Sequence, residues 1–130
     1  MGYSAIDLHK KKAEALVIHC VDPRFQHAYR QVIDNLGLYY DLLAIPGASK
    51  AVVENPSMID YIKLLHSLHH FDMVHVMDHV ECGAFGKVEE EQKDHSAFLK
   101  QAIEKIKENL PELEVHAHLL GANQELAVDV

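Results

Sequence analysis

The chain has 130 residues, 48% hydrophobic and 25% charged, which fits one soluble domain over residues 1–130 with one sizeable core and excludes disordered and fibrous classes. Twenty acidic residues against twelve basic leave a net charge of −8, which repels phosphate backbones and anionic surfaces and argues against nucleic acid and membrane partners. No apolar run reaches transmembrane length, and MGYSAIDLHKKKAEA has no apolar stretch before a cleavage site, so a cytoplasmic protein is expected.

Ser4 is a candidate cap for a short helix to Lys12, with Ile6, Leu8 and Ala13 as a weak apolar face and Lys10, Lys11 and Lys12 as a solvated one. Ala15 to His19 is a continuous apolar run with β-branched Val17 and Ile18, the pattern of a strand buried on both faces of a parallel sheet. Phe25, Ala28, Tyr29, Val32, Ile33 and Leu36 recur at helical spacing up to Gly37, which ends that helix. Tyr40 to Ile45 reads as a second strand, stopped by Pro46 and Gly47.

Asn55 and Pro56 mark a helix start, with Met58, Ile59, Ile62, Leu65 and Leu68 as its buried face. Met73 to Met77 is the third strand, running out into a turn that carries His79 and Cys82. Lys87 to Asp94 is a charged stretch of loop or helix. Phe98, Leu99, Ala102, Ile103, Ile106 and Leu110 then form an amphipathic helix that ends before Pro111. Val115 to Leu120 is a fourth strand, and an edge strand at Leu126 to Val130 closes the chain.

Strands alternating with helices predict an α/β fold: a mostly parallel sheet of four or five strands with helices on both faces. In such sheets ligands bind outside the carboxyl ends of the strands, at the topological switch point. With strand order 2-1-3-4, Cys20 after the first strand meets the His79 and Cys82 turn after the third.

Two cysteines in a cytosolic chain favour metal binding or catalysis over a disulfide. Two thiolates and an imidazole suit zinc, and three protein ligands leave a fourth tetrahedral position open. Asp22 and Arg24 follow Cys20 closely enough to lie over the same ion. Asp22 can take the fourth position and close the site, or pair with Arg24 and accept a hydrogen bond from a hydroxide on the metal. Asp78 can tune His79, compete for the metal, or be satisfied by backbone N–H groups. His27 is a candidate relay for the proton that ionising water releases. His66, His69 and His70 fit the carbonyl end of a helix, and His116 and His118, on one face of the fourth strand, are candidates for a second metal site for which no third ligand is evident. A nucleophilic thiol loop at His19-Cys20 fails on spacing, because Gln26 stands where its arginine is needed.

Cys20-x-Asp22-x-Arg24 followed by His79-x-x-Cys82-Gly83, each after an apolar strand, resembles the β-class carbonic anhydrases, over about Ala15 to Phe85 with the Pro46-Gly47-Ala48 turn included. The resemblance implies Zn2+ held by Cys20, His79 and Cys82, and Asp22 with Arg24 as a catalytic dyad. It further implies Gly83 at the substrate, reversible hydration of carbon dioxide to bicarbonate, and a homodimer or higher homo-oligomer. The chain departs from the family pattern at Pro23, Ile45, Pro46 and Asp78. Two alternatives accompany the hydratase: a hydrolase of carbon disulfide or carbonyl sulfide, and a non-catalytic zinc protein in which Asp22 or Asp78 closes the site.

Overall fold

All five residues of the first strand, β1 (Ala15–His19), are buried, as continuous apolar strands are when parallel neighbours flank them and helices cover both faces. The computed structural model describes residues 2–130 of the chain. After β1 come α1 (Gln26–Leu36), β2 (Tyr40–Ala44), α2 (Ser49–Glu54), α3 (Pro56–His69), β3 (Met73–His79), a 3-10 turn (Gly83–Phe85), α4 (Glu91–Asn109), β4 (Glu114–Leu120) and β5 (Glu125–Leu126). The sheet order is β2-β1-β3-β4-β5, with β5 alone antiparallel. The predicted α/β class and the order of the first four strands are therefore those observed.

Period-two alternation divides the apolar residues between two layers. Leu16, Ile18, Val74 and Val76 point to the larger core, filled by Val52, Met58, Ile62, Leu99 and Ile106 from α2, α3 and α4. Val17, Met77 and Leu120 point the other way, to Phe25, Tyr29 and Ile33 of the α1 layer. Cys20 and Cys82 belong to this second, smaller cluster.

Several expectations are corrected. No helix spans Ser4 to Lys12: Ile6 and Leu8 are 63% and 76% exposed, so that apolar face has nothing to pack on and a short isolated helix lacks the tertiary support it needs. Lys12 pairs instead with Asp72 at 2.9 Å, and Lys10 lies over the Tyr39 ring. Asn55 does precede α3, but its side chain makes no capping hydrogen bond. Leu68 is 54% exposed, because the buried stripe of α3 consists of Met58, Ile59 and Ile62. β3 runs two residues further than predicted, so His79 ends the strand, and the second edge strand is only Glu125–Leu126.

The turn after β2 is held against the turn after β3. Gly47 has φ +86, and a Cβ there would lie 3.1 Å from Ala84 Cβ. Gly47→Ala is therefore expected to cost about 1–3 kcal/mol through backbone strain, read as a lower urea midpoint with unchanged slope.

Candidate metal centre

Strands β1 and β3 are hydrogen-bonded neighbours, with His19 opposite Met77, so the residues that follow their carboxyl ends meet. Cys20, His79 and Cys82 are all buried there, and one ligand atom from each lies within 4.8 Å of the others. Four features of this set fit a tetrahedral ion. The two sulfurs are 3.9 Å apart, close to the separation of about 3.8 Å that two thiolates on one tetrahedral zinc would have. His79 Nδ1 donates to the Val80 carbonyl at 2.7 Å, which leaves Nε2 as the lone-pair nitrogen. That Nε2 is buried and has no hydrogen-bond partner. Burial holds the His79 pKa below its usual value, so the ring is neutral and able to ligate.

Around these donors the surroundings are apolar. Phe25 stacks on His79 with ring centroids 4.3 Å apart, and His19 stacks on Tyr29 at the same separation. Burial pushes the Cys82 thiol up, and Cys20 adds to the rise, while the amides of Ala84 and Phe85 pull it down. A cation beside the Cys82 sulfur would offset this rise and stabilise the thiolate.

Asp22 and Arg24 form a close fork. Asp22 Oδ2 accepts from Arg24 Nη2 at 2.7 Å, and Oδ1 accepts from the Arg24 amide at 2.9 Å and from Nε at 3.1 Å. These bonds hold the Asp22 carboxyl at about 2. Pro23 does not interfere, since the amide used is that of Arg24. Asp22 Oδ2 stands 3.8 Å from His79 Nε2, and Asp22 is not one of the three residues in the close ligand cluster. Arg24 Nη2 also donates to the Glu81 carbonyl at 2.9 Å, tying the loop after β1 to the turn after β3. Gln26 donates to the carbonyls of Cys20 and Asp22 at 3.1 and 2.9 Å, so it braces this loop. Gly83 opens the 3-10 turn, and a Cβ there would meet nothing within 4 Å.

Asp78 faces away from the Cys20, His79 and Cys82 cluster, into the α2 and α4 layer. Both the Ser49 amide and the Ser49 hydroxyl donate to it, and His95 Nδ1 lies 2.7 Å from Oδ2. His95 Nε2 is 3.2 Å from Glu91 Oε2, while Glu91 Oε1 accepts the Glu81 N–H at 3.0 Å. Ser49 and His95 thus anchor Asp78 near the end of β3, while Glu91, whose Oε2 makes no hydrogen bond with the facing His95 Nε2, separately holds the residue before Cys82. Glu81 has φ 52, a left-handed conformation unusual for glutamate, and it is held at both its N–H and its carbonyl. Ile45 packs against the larger core and Pro46 is exposed.

Of the other histidines, His69 Nδ1 sits 2.8 Å from Asp41 on β2, so a hydrogen bond as well as the helix end accounts for it. His27 shares a cleft of about 360 Å³ with Arg24, Gln31, Asn35 and Gln124. Sequence reading had no place for Ser49, Glu91 and His95. The available signal was His95 itself, which continues the buried stripe of Leu99, Ala102 and Ile106 on α4.

A family model described as "Putative carbonic anhydrase" matches residues 10–129. An uncharacterized protein of Rickettsia bellii is 33% identical over 127 residues, covering 85% of this chain and 77% of the relative. One of Rickettsia conorii is 32% identical over 127 residues, covering 85% and 68%. Among solved structures, the fold is similar to a β-carbonic anhydrase isoform of Trichomonas vaginalis, with TM-score 0.66, 12% identity, and 96% and 86% of the two chains covered. It is also similar to a carbonic anhydrase of Streptococcus mutans, with TM-score 0.59, 14% identity, and 98% and 88% covered.

Proposed function

The chain belongs to the carbonic anhydrase family that this match defines, and on that premise we propose that it holds one zinc ion through Cys20, His79 and Cys82 and hydrates carbon dioxide reversibly to bicarbonate. The observation that carries the reading is the buried, unpartnered His79 Nε2 beside two cysteine sulfurs. When bound, zinc supplies Lewis acidity that brings the pKa of a coordinated water toward about 7.

The chain's own groups do the rest. Arg24 keeps Asp22 ionised and points its Oδ2 toward the ligand cluster. There Asp22 accepts a hydrogen bond from the attacking oxygen and fixes its direction. Phe25, Met77 and Leu120 give an apolar surround that admits an uncharged substrate and excludes bulk water. Bicarbonate, once formed, carries a charge that this surround disfavours, which promotes its release.

Stopped-flow carbon dioxide hydration on protein of measured zinc content tests the reading. Asp22→Ala is expected to lower kcat about 100-fold or more with zinc content unchanged; undiminished turnover would overturn the mechanism. Because the Asp22 carboxyl is held at about 2, it stays ionised throughout the neutral and mildly acidic range. Loss of activity as pH falls from 8 toward about 5 would therefore belong to a group other than Asp22, such as a water that zinc would acidify. Stoichiometric zinc with no hydration, but turnover of carbonyl sulfide, would move the substrate to a sulfur compound.

A further inference from the structure

Away from the Cys20, His79 and Cys82 cluster, three imidazoles gather on a part of the sheet's α1 face that α1 leaves open. His75 and His116 are cross-strand partners on β3 and β4, and His118 lies beside Met77, one step along the same face. They line an open depression of about 760 Å³ with Leu36, Leu38 and Val128.

We propose that His75, His116 and His118 form a second metal site, for a divalent ion of tetragonal preference such as Ni2+ or Cu2+. His75 Nδ1 and His118 Nε2 face each other at 2.8 Å. This gap is the hydrogen bond that joins the two rings without an ion. Two nitrogens at 2.0–2.1 Å from one ion are about 2.9 Å apart at a right angle and about 3.4 Å apart in a tetrahedron, so the rings need to turn, but barely to separate, to share a square-planar or octahedral ion. The site therefore differs in kind from the two-sulfur cluster, which suits zinc.

His118 is prepared for this role. Its Nδ1 lies 3.3 Å from Glu125 Oε1, and a carboxylate on one ring nitrogen fixes the other as the lone pair, as in metal-binding histidines. Without an ion, His75 donates its Nδ1 proton to His118 Nε2. Metal entry needs only that this proton shift to His75 Nε2, a change of tautomer that releases none. His116 stacks on His75 with centroids 4.8 Å apart, but its Nε2 lies 3.4 Å from Glu114 Oε2 and the three rings do not yet form a close ligand set. The His116 side chain is 48% exposed, so it is free to turn from Glu114 and bring the third nitrogen. Burial, with His118 and His116 alongside, holds His75 down at about 4, and burial lowers His118 against the opposing pull of Glu125. Both rings are neutral, and so able to ligate, at neutral pH.

The test is titration of tag-free, zinc-loaded protein with Ni2+ against a coloured chelator. One further ion per chain is expected, with zinc content unchanged. Nickel affinity is expected to fall at least about 10-fold in His118→Ala and in His116→Ala, and about 10-fold in Glu125→Gln, where only the supporting carboxylate is altered. His116 and Glu125 are exposed, so their variants keep the fold if His118→Ala does not. No uptake of nickel by the zinc-loaded protein, or uptake at undiminished affinity in His116→Ala and Glu125→Gln, would overturn the site.

Discussion

His79→Ala protein is expected to lose its zinc and its carbon dioxide hydration together while keeping its fold. Removing the imidazole leaves two sulfurs and no third donor, because Asp22 is occupied by Arg24 through three hydrogen bonds at 3.1 Å or less. The loss in metal affinity should exceed the 10–100-fold that follows removal of a mere supporting group. Folding should survive because the larger core, from Leu16 and Val76 across to Leu99 and Ile106, lies on the other side of the sheet from the ligands. Zinc analysis after dialysis, beside a far-ultraviolet circular dichroism spectrum, reads both parts. Retained zinc with retained activity would remove His79 from the site; an unfolded spectrum would show that the fold depends on this ring.

Asp78→Ala should have the opposite signature, a large loss of stability. The Asp78 and His95 side chains are 1% and 0% exposed, so deleting the carboxylate strands a buried imidazole and leaves the Ser49 amide and hydroxyl without their acceptor. Each buried donor left without its acceptor costs about 1–3 kcal/mol, so stranding three of them should lower Tm by about 10 °C or more for a chain of this size. Asp78→Asn keeps the acceptor oxygen for Ser49 but not the charge, and should fall between. A calorimetric Tm within 2 °C of the parent for Asp78→Ala would show that the network contributes little.

The contrast between these two neighbours explains what could be read from the chain and what could not. Cys20, His79 and Cys82 stand at the ends of apolar runs, and strand order follows from the alternation of strands and helices, so their meeting was legible. Asp78 admits three readings from sequence, because its partners Ser49 and His95 lie 29 and 17 residues away and no local period connects them. His95 sits in the charged start of α4 and reads as solvated unless its register with Leu99 is followed. α2 is not legible in the sequence for a related reason: six residues offer less than two turns of pattern. The N-terminal helix failed because a weak apolar face predicts a helix only where something exists to cover it. His75 lies in an apolar strand and gains meaning only from the register that sets it opposite His116.

β1 and β3 are each paired along both edges, and Cys20 and His79 stand at their ends. Amide hydrogens in doubly paired central strands exchange with solvent only in the rarest openings of a protein. His79 thus ends, and Cys20 directly follows, the slowest-opening part of the molecule, whereas Cys82 lies in a turn outside the sheet that is fastened through Glu81, to Glu91 and Arg24. A zinc ion held here would leave through Cys82 first, and its rate of departure would report the opening of that one turn while the sheet stays closed. Recapture is favoured for the same reason, since a returning ion meets two donors that never left their places.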